Sequence, residues 1–226
     1  MINIYTYGVS KRASLADKAA YKTRKKIYTK LSKLIDLEQL NSIIDVGVTA
    51  DKTQISSNFF ENIYPKPEII TAFSDQDASW MENEYKGLKF IRGTALDMPF
   101  DNDTFDLVFS SAVIEHVGSF KNQIKYLNEC LRISKKYVFI TTPNRFYPIE
   151  FHTVLPFIHW LPKKIHRKIL RLLGKEFFAC EENLNLLSND NLKFICNKNK
   201  IKNYIIKNEY FLGLPSNLLL IITKES

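Results

Sequence analysis

Residues 93–117, GTALDMPFDNDTFDLVFSSAVIEHV, constrain the fold of this chain more than any other stretch. A turn, a Pro-Phe pair and an Asn-Asp turn lead into a short apolar run at 105–109. Such a run, apolar almost throughout and rich in β-forming residues, predicts a strand that is buried on both faces of a parallel sheet. Ser110 and Ser111 follow it, and open α/β sheets bind ligands at the carboxyl ends of their strands. The stretch therefore predicts a ligand site at the end of this strand.

The same stretch resembles the core signature of class I S-adenosyl-L-methionine (SAM) dependent methyltransferases. The residues that match in order and spacing are Pro99, Phe100, 105–108, Ser110 and 115–117. The resemblance is to small-molecule methyltransferases of the "type 11" kind, in a bacterial subgroup found among surface-polysaccharide enzymes. It implies SAM as the cofactor and an α/β fold: a Rossmann-like three-layer sandwich with a mostly parallel seven-stranded sheet and an antiparallel terminal strand. A predicted antiparallel pair at 204–211 and 218–224 fits that fold.

Length, charge and cysteine use set broad limits. A chain of 226 residues suits one α/β domain, so residues 1–226 are expected to form a single methyltransferase domain. The net charge of +8 suits an anionic substrate, nucleic acid or an acidic membrane face. The three cysteines are widely spaced, without a CxxC pair or a Cys/His cluster, so neither a disulfide nor a metal site is predicted. The sequence shows no signal core and no apolar run of the ~18 residues that a membrane span requires, which predicts a cytoplasmic protein.

A basic helix is predicted at residues 14–35. Ala20, Ile27, Leu31 and Leu34 share one face at helical spacing, and lysines and an arginine cover the remainder. Two interpretations stay open. Residues 1–40 form a lid that packs beside the cofactor site, or the helix contacts anionic lipid. The thin apolar stripe favours packing.

The first predicted strand and the turn after it resemble the cofactor motif of this family, an acid followed by G-x-G-x-G. Asp45 is expected to order the turn, and Gly47 to let the backbone approach the cofactor closely. Thr49 and Asp51 stand where the family has further glycines. Either this loop, through Val48 and Thr49, still holds SAM, or the pocket has degenerated and the chain keeps only the scaffold. The survival of the remaining signature favours SAM binding.

A ribose contact is predicted after the second strand, residues 68–73. The resemblance places an acid there, because a carboxylate accepts hydrogen bonds from both ribose hydroxyls. Asp75 and Asp77 are equal candidates, and the alternative is that both only cap the following helix.

An adenine contact is predicted after the third strand, residues 88–92. Thr94 replaces the acid that the family usually has there, so recognition is expected to depend on the backbone of Ala95 and Leu96. The complete predicted cofactor-binding set is Asp45, Gly47, Val48, Thr49, Asp75, Asp77, Thr94, Ala95, Leu96, Ser110 and Ser111.

The predicted catalytic residues come from two places. A methyl acceptor must be held in near-attack geometry, and a hydroxyl or a protonated nitrogen gains from a general base. His116, at the expected start of the helix after the fourth strand, is the first candidate base. Glu150 and His152 form a second pair in the polar loop after the fifth strand, residues 137–141, and ordered loops of this kind tend to be functional. A structural role for either histidine stays open.

Residues 144–187 are predicted to form a substrate-capping insertion with a basic helix at 162–173. Five aromatic residues either line an acceptor pocket or pack the insertion on the sheet: Phe146, Tyr147, Phe151, Phe157 and Trp160. The resemblance favours transfer to O or N of a small molecule, a sugar or a lipid-linked saccharide, with the basic helices touching phosphate or membrane. A nucleic-acid methyltransferase is disfavoured, because the sequence has no motif for base amino groups and no RNA-binding module. A non-catalytic SAM-fold scaffold is the remaining alternative.

Overall fold

The computed structural model describes residues 15–224, which are organised around one seven-stranded sheet. The strands are β1 (Ile43–Val46), β2 (Ile70–Ser74), β3 (Lys89–Arg92), β4 (Phe105–Ser111), β5 (Ser134–Pro143), β6 (Tyr204–Phe211) and β7 (Leu214–Thr223). Their order is β3-β2-β1-β4-β5-β7-β6. Strands β1 to β5 run parallel, and β7 is antiparallel to both of its neighbours. The predicted fold class is confirmed.

Helices cover both faces of the sheet. They are α1 (Leu15–Leu34), α2 (Phe59–Ile63), α3 (Met81–Glu84), α4 (Phe120–Ile133), α5 (Lys163–Leu172) and α6 (Asn189–Lys198). Successive side chains of a strand point to opposite faces, so Leu107 and Phe109 of β4 join one core and Val108 joins the other. The first core includes Phe60 of α2, and the second includes Tyr126 of α4. These two cores hold the three layers together.

Helix α1 packs on the first core. Ile27 and Leu31 are 1% and 0% exposed, and Lys30 forms an ion pair of 2.7 Å with Glu209 of β6. The apolar stripe that was read from the sequence is therefore a buried face. Residues 1–14 of the predicted lid lie outside the described residues. Within the described part of the chain, no helix is long and apolar enough to cross a membrane.

The helices α6 and α2 begin in different ways. Ser188 caps α6 in a reciprocal capping box with Asn191. Asn58, which precedes α2, has a left-handed backbone, with φ 47°, and its side chain makes no cap hydrogen bond. That side chain is used instead to hold the loop after β1, as described below.

Several element boundaries also differ from the prediction. The helix expected at 78–85 is reduced to the single turn of α3, and the last strand begins at Leu214, not at 218. The earlier start follows from a tight turn in which Leu212 and Gly213 both take positive φ. His116 does not begin a helix. It ends the 3-10 turn Ile114–His116, and α4 starts only at Phe120, after its cap Ser119.

The order of the strands determines where a ligand site can form. The chain leaves β1 toward β2 on one side and later places β4 on its other side, so β1 and β4 flank the topological switch point of the sheet. Open α/β sheets bind ligands at this position, outside the carboxyl ends of the strands. The loops that begin at Gly47, Asp75 and Gly93 meet there.

Candidate active site

A cleft of about 300 Å³ lies at the carboxyl ends of β1, β2 and β3. Its lining residues are Gly47, Phe73, Ser74, Asp75, Gly93, Thr94, Ala95, Leu96, Val113, His116, Val117, Gly118, Asn122 and Glu182. The volume is at the lower end of the range of roughly 300–1,000 Å³ that small-molecule sites occupy. Six predicted site residues line it, namely Gly47, Asp75, Thr94, Ala95, Leu96 and His116.

Gly47 forms part of the floor of this cleft. Its φ is +97°, and its N–H donates to the Phe73 carbonyl at 2.7 Å. A Cβ at this position would lie 2.1 Å from Cγ2 of Val113, a distance that side chains cannot adopt. Both the backbone angle and the contact therefore require glycine here.

The loop after β1, which lacks the later glycines of the family motif, is held by side-chain amides. The Thr49 N–H donates to Asn58 Oδ1 at 2.9 Å, and Asn58 Nδ2 returns a bond to the Thr49 carbonyl at 2.9 Å. Gln76, which follows β2, accepts from the Ala50 N–H at 3.3 Å. Neither Val48, which is 4% exposed, nor Thr49 lines the cleft. These anchors were not predicted, because Asn58 lies 9 positions from Thr49 and Gln76 lies 26 positions from Ala50 in the sequence.

Asp45 lies beneath this loop and does not line the cleft. Its carboxyl is 6% exposed and lies close to that of Glu61 on α2, which is 3% exposed. Burial raises the pKa of both acids, to about 7 for Glu61 and well above the usual value for Asp45. Two carboxyls in contact can form a hydrogen bond only if one of them keeps a proton. The structure thus pairs Asp45 with a second buried acid, and its role in ordering the turn stays a prediction.

The two predicted ribose acids have different surroundings. Asp75 is exposed and lines the cleft. Asp77 lies outside the cleft lining, and its Oδ1 accepts from the Ser79 N–H at 3.1 Å, a bond that lowers the pKa of Asp77. The geometry therefore favours Asp75 for a cofactor contact and gives Asp77 the local role of ordering the turn before α3.

The Thr94 side chain is already used within its own turn. Thr94 Oγ1 accepts from the Leu96 N–H at 3.3 Å, which leaves the backbone of Ala95 as the better candidate for adenine recognition. Ser110 is fully buried, where its hydroxyl donates to the Val46 carbonyl and accepts from Tyr126, each at 2.7 Å. Ser111 pairs with the hydroxyl of Thr141 at 3.0 Å. Neither serine lines the cleft, and both connect strands.

The three predicted catalytic residues come together at one end of the cleft. Nε2 of His116 lies 3.0 Å from Nε2 of His152, and the two rings are inclined by 83°. Nδ1 of His116 donates to the Asn183 carbonyl at 2.7 Å, and Nδ1 of His152 donates to Glu150 Oε1 at 2.6 Å. A carbonyl and an ionised carboxylate only accept hydrogen bonds, so both Nδ1 atoms carry hydrogens. The two Nε2 atoms therefore point into one shared gap.

Glu150 organises the loop that carries His152. Its carboxylate accepts from the N–H groups of His152 and Thr153, at 2.8 and 2.6 Å, and from the Thr153 hydroxyl at 2.6 Å. Burial raises the pKa of Glu150, but the hydrogen bond and charge of His152 outweigh it and lower the pKa to about 2. Burial lowers the pKa of His152, and Glu150 in turn outweighs that effect and raises it. The hydrogen bond between the two residues fixes the loop.

Glu115, beside His116, is a site residue for which the sequence analysis gave no role. It is 0% exposed, its Oε2 accepts from the Thr142 hydroxyl at 2.9 Å, and its Oε1 lies 4.0 Å from His116 Nε2. Glu115, His116 and His152 each place one metal-ligand atom within 4.8 Å of the others. No metal site was predicted, because His116 and His152 are 36 positions apart and only the fold brings them together.

The five aromatic residues predicted for the acceptor pocket do not lie at the cleft. Tyr147 is buried, at 4% exposure, whereas Phe146, Phe151, Phe157 and Trp160 are 42–58% exposed. None of these five residues lines the cleft. The insertion after β5 therefore presents most of its large aromatic side chains to solvent, and neither interpretation made from the sequence describes them fully.

Comparisons with known proteins agree with this architecture. Residues 65–140 match the model of a methyltransferase domain family. No curated protein sequence matches the chain significantly. Three solved structures illustrate the shared fold. A SAM-dependent methyltransferase of Thermotoga maritima, described as a possible histamine N-methyltransferase, is 16% identical with a TM-score of 0.58, over 93% of this chain and 92% of that one.

The other two structures are more distant in sequence. A SAM-dependent methyltransferase from Aquifex aeolicus is 12% identical with a TM-score of 0.58, over 93% of both chains. The N-methyltransferase NodS from Bradyrhizobium japonicum, solved with S-adenosyl-L-homocysteine, is 10% identical with a TM-score of 0.55, over 90% of this chain and 88% of that one. At such identities the likeness shows the fold. Together with the domain match, it supports the assignment of a SAM-dependent methyltransferase.

Proposed function

We propose that this protein transfers the methyl group of SAM to an oxygen or nitrogen of a small-molecule acceptor, and that the acceptor is a saccharide carried on a lipid. One observation is the main support for the transfer reaction. The cleft that has the cofactor-binding features ends at the imidazoles of His116 and His152. SAM, when bound, supplies an electrophilic methyl group on a sulfonium whose leaving thioether needs no acid.

The residues at the cleft fit this cofactor. Gly47 leaves the floor free of a side chain where the cofactor must approach the backbone closely. Asp75 offers an exposed carboxylate that can accept from two ribose hydroxyls. Ala95 and Leu96 provide backbone and apolar surface for the adenine ring. Thr49, Asp77 and the two serines that end β4 do not line the cleft and lie behind these contacts.

His116 is the residue best placed to receive a proton from the acceptor, because it alone of the imidazole pair lines the cleft. Its Nδ1 is occupied by the Asn183 carbonyl, so the proton must be taken at Nε2. His116 Nε2 can accept this proton when no hydrogen lies between it and His152 Nε2. His152 and Glu150 then stabilise the positive charge that results. Most of the rate should come from holding the acceptor in position.

The surface of the insertion supports a lipid-linked acceptor. Phe157 and Trp160 are exposed, and on α5 Ile165 and Leu172 are 49% and 78% exposed. Ile165, Lys168 and Leu172 follow helical spacing and share one face of α5. Large apolar side chains beside lysines are the composition of helices that lie on an anionic membrane. We call this surface, formed by Phe157, Trp160, Lys164, Ile165, Lys168 and Leu172, the apolar face.

Calorimetric titration with SAM and S-adenosylhomocysteine tests the cofactor. We expect micromolar binding of both, which then justifies a screen of nucleotide sugars and lipid-linked saccharides with radiolabelled SAM. If neither ligand binds, the chain is the degenerate scaffold of this fold, and the methyltransferase proposal fails.

Vesicle sedimentation tests the membrane contact separately. The protein should sediment with vesicles of phosphatidylglycerol and phosphatidylcholine and remain in solution with phosphatidylcholine alone. The double variant Lys164→Glu/Lys168→Glu should remain in solution with both. Lys86→Glu/Lys89→Glu, which changes two exposed lysines near β3, is the charge-matched control. Equal sedimentation of both double variants would reject the apolar face as the contact.

A further inference from the structure

We propose that Glu115, His116 and His152 form a binding site for a divalent transition-metal ion, for which zinc is the best fit. The three ligand atoms are Oε1 of Glu115 and Nε2 of each histidine. Two imidazoles and one carboxylate with an open position are a recurrent ligand set for catalytic zinc. His116 borders the cleft, so the open side of the site faces the place where the acceptor binds.

The distance between the imidazoles suits a bridging ion. With Zn–N bonds of about 2.0–2.1 Å, an Nε2 to Nε2 distance of about 3.3 Å gives a tetrahedral angle. The observed distance is 3.0 Å. A slight separation of the rings therefore brings both nitrogens to bonding distance. Glu115 Oε1, now 4.0 Å from His116 Nε2, completes the set by moving toward the gap.

The outer hydrogen bonds already fix both rings in the tautomer that a metal needs. Metal-bound histidines usually donate their second ring N–H to a carbonyl or a carboxylate. His116 donates Nδ1–H to the Asn183 carbonyl, and His152 donates Nδ1–H to Glu150. Both Nε2 atoms therefore face the gap, where a shared proton or a metal ion can hold them together.

The negative charge around the gap also favours a bound cation. Oε1 of Glu115 is buried and has no hydrogen-bond partner, which is costly for a carboxylate oxygen. Two buried carboxylates, Glu115 and Glu150, lie against the imidazole pair. A single shared proton neutralises only one of these negative charges. A divalent ion neutralises both and gives Glu115 Oε1 a partner.

The ion would change how the acceptor is held. It occupies both Nε2 lone pairs, so an acceptor oxygen in the cleft binds to the open position of the ion and not to His116. With the ion bound, His116 would be a ligand in place of a base, and the ion would make the bound acceptor hydroxyl more acidic, so that its proton leaves to solvent. This consequence rests on the proposed methyl transfer. Metal binding itself does not, because it can be measured without any acceptor.

Calorimetric titration of EDTA-treated, full-length protein with ZnCl₂ tests the site. Cys180→Ser serves as the background, because the exposed Cys180 thiol could bind zinc by itself. We expect one zinc per chain. His116→Ala and His152→Ala should each weaken binding by more than the roughly 10- to 100-fold that changes outside the ligand shell cost. Glu115→Gln should weaken it, whereas His166→Gln, which changes a histidine outside the site, should not.

Binding of S-adenosylhomocysteine to every variant provides the control for folding. A variant that keeps this binding but loses zinc supports the site. Absence of zinc binding in the Cys180→Ser protein, or unchanged zinc affinity in both His116→Ala and His152→Ala, would overturn the proposal. If zinc binds and S-adenosylhomocysteine does not, the metal site stands and the proposed function fails. If S-adenosylhomocysteine binds and zinc does not, the proposed function stands and the metal site fails.

Discussion

The substitution Glu61→Gln is expected to stabilise the protein at alkaline pH. Burial raises the pKa of Glu61 to about 7. Burial and the charge of Glu61 raise the pKa of Asp45, against the opposing charge of Arg24 on α1. The acid pair therefore keeps a proton near neutral pH. A glutamine at position 61 could donate its amide N–H to the Asp45 carboxylate, so that no proton is needed.

The magnitude follows from the difference between the folded and unfolded states. The ordinary pKa of a glutamate is 4.5, against about 7 for folded Glu61. A difference of about 2.5 in pKa corresponds to about 3 kcal/mol in the free energy of unfolding. The folded state holds the proton more tightly, so this stabilisation is fully present below pH 4.5 and is lost as the pH rises through 7. Glu61→Gln should gain about 3 kcal/mol relative to the unchanged protein between pH 5 and pH 8.

Urea denaturation of both proteins at several pH values between 5 and 8 measures this difference. Other titrating groups, such as the buried histidines, are common to both proteins and cancel. Glu84→Gln is the matched control, because Glu84 is exposed and the change in net charge is the same. In thermal unfolding, about 3 kcal/mol corresponds to roughly 6–12 °C for a domain of this size. A stability difference that does not vary with pH, or an equal slope in Glu84→Gln, would refute the shared proton.

Three further predictions concern the cofactor side, each measured by calorimetric titration with S-adenosylhomocysteine. Gly47→Ala should abolish detectable binding and lower the melting temperature, because the new Cβ lies 2.1 Å from Val113 at a φ of +97°; unchanged affinity would disprove the close contact. Asp75→Asn should weaken binding by about tenfold, the usual cost of one charge-assisted hydrogen bond, while Asp77→Asn should leave it within about twofold. Asn58→Ala should weaken binding by roughly tenfold by releasing Thr49, and Asn62→Ala, which removes an exposed amide from α2, is its control.

The sequence predicted the sheet well because its central strands are almost continuously apolar. The run at Phe105 to Phe109 can be buried on both faces, and only a parallel sheet that is covered by helices allows this. Short helices were predicted poorly. Residues 78–85 form only the turn of α3, which ends where Tyr85 takes an extended backbone.

The candidate site was only partly predictable, for a physical reason. Gly47 lies directly after β1 and His116 in the loop that follows β4, and strand ends are visible in a sequence. The partners of these residues depend on contacts between distant segments. The Asn183 carbonyl reaches His116 across 67 positions, and Gln76 reaches Ala50 across 26. A single sequence carries no signal for such pairs, so Glu115, Asn58 and Gln76 were not identified.

The anchored loop after β1 bears on whether the pocket has degenerated. Glycines in this motif give the loop a shape that side chains would otherwise prevent, so their replacement by Thr49 and Asp51 would be expected to loosen it. Here the loop is instead tied to α2 by Asn58 and to the β2 loop by Gln76. A scaffold without a ligand has no need of two half-buried side-chain amides that fix a loop beside an open cleft. The substitutions are therefore better explained as a different way of building the same cofactor site than as its loss. If that is correct, the Asn58 and Gln76 amides should be needed for cofactor affinity and nearly dispensable for global stability, whereas in a degenerate fold the opposite would hold.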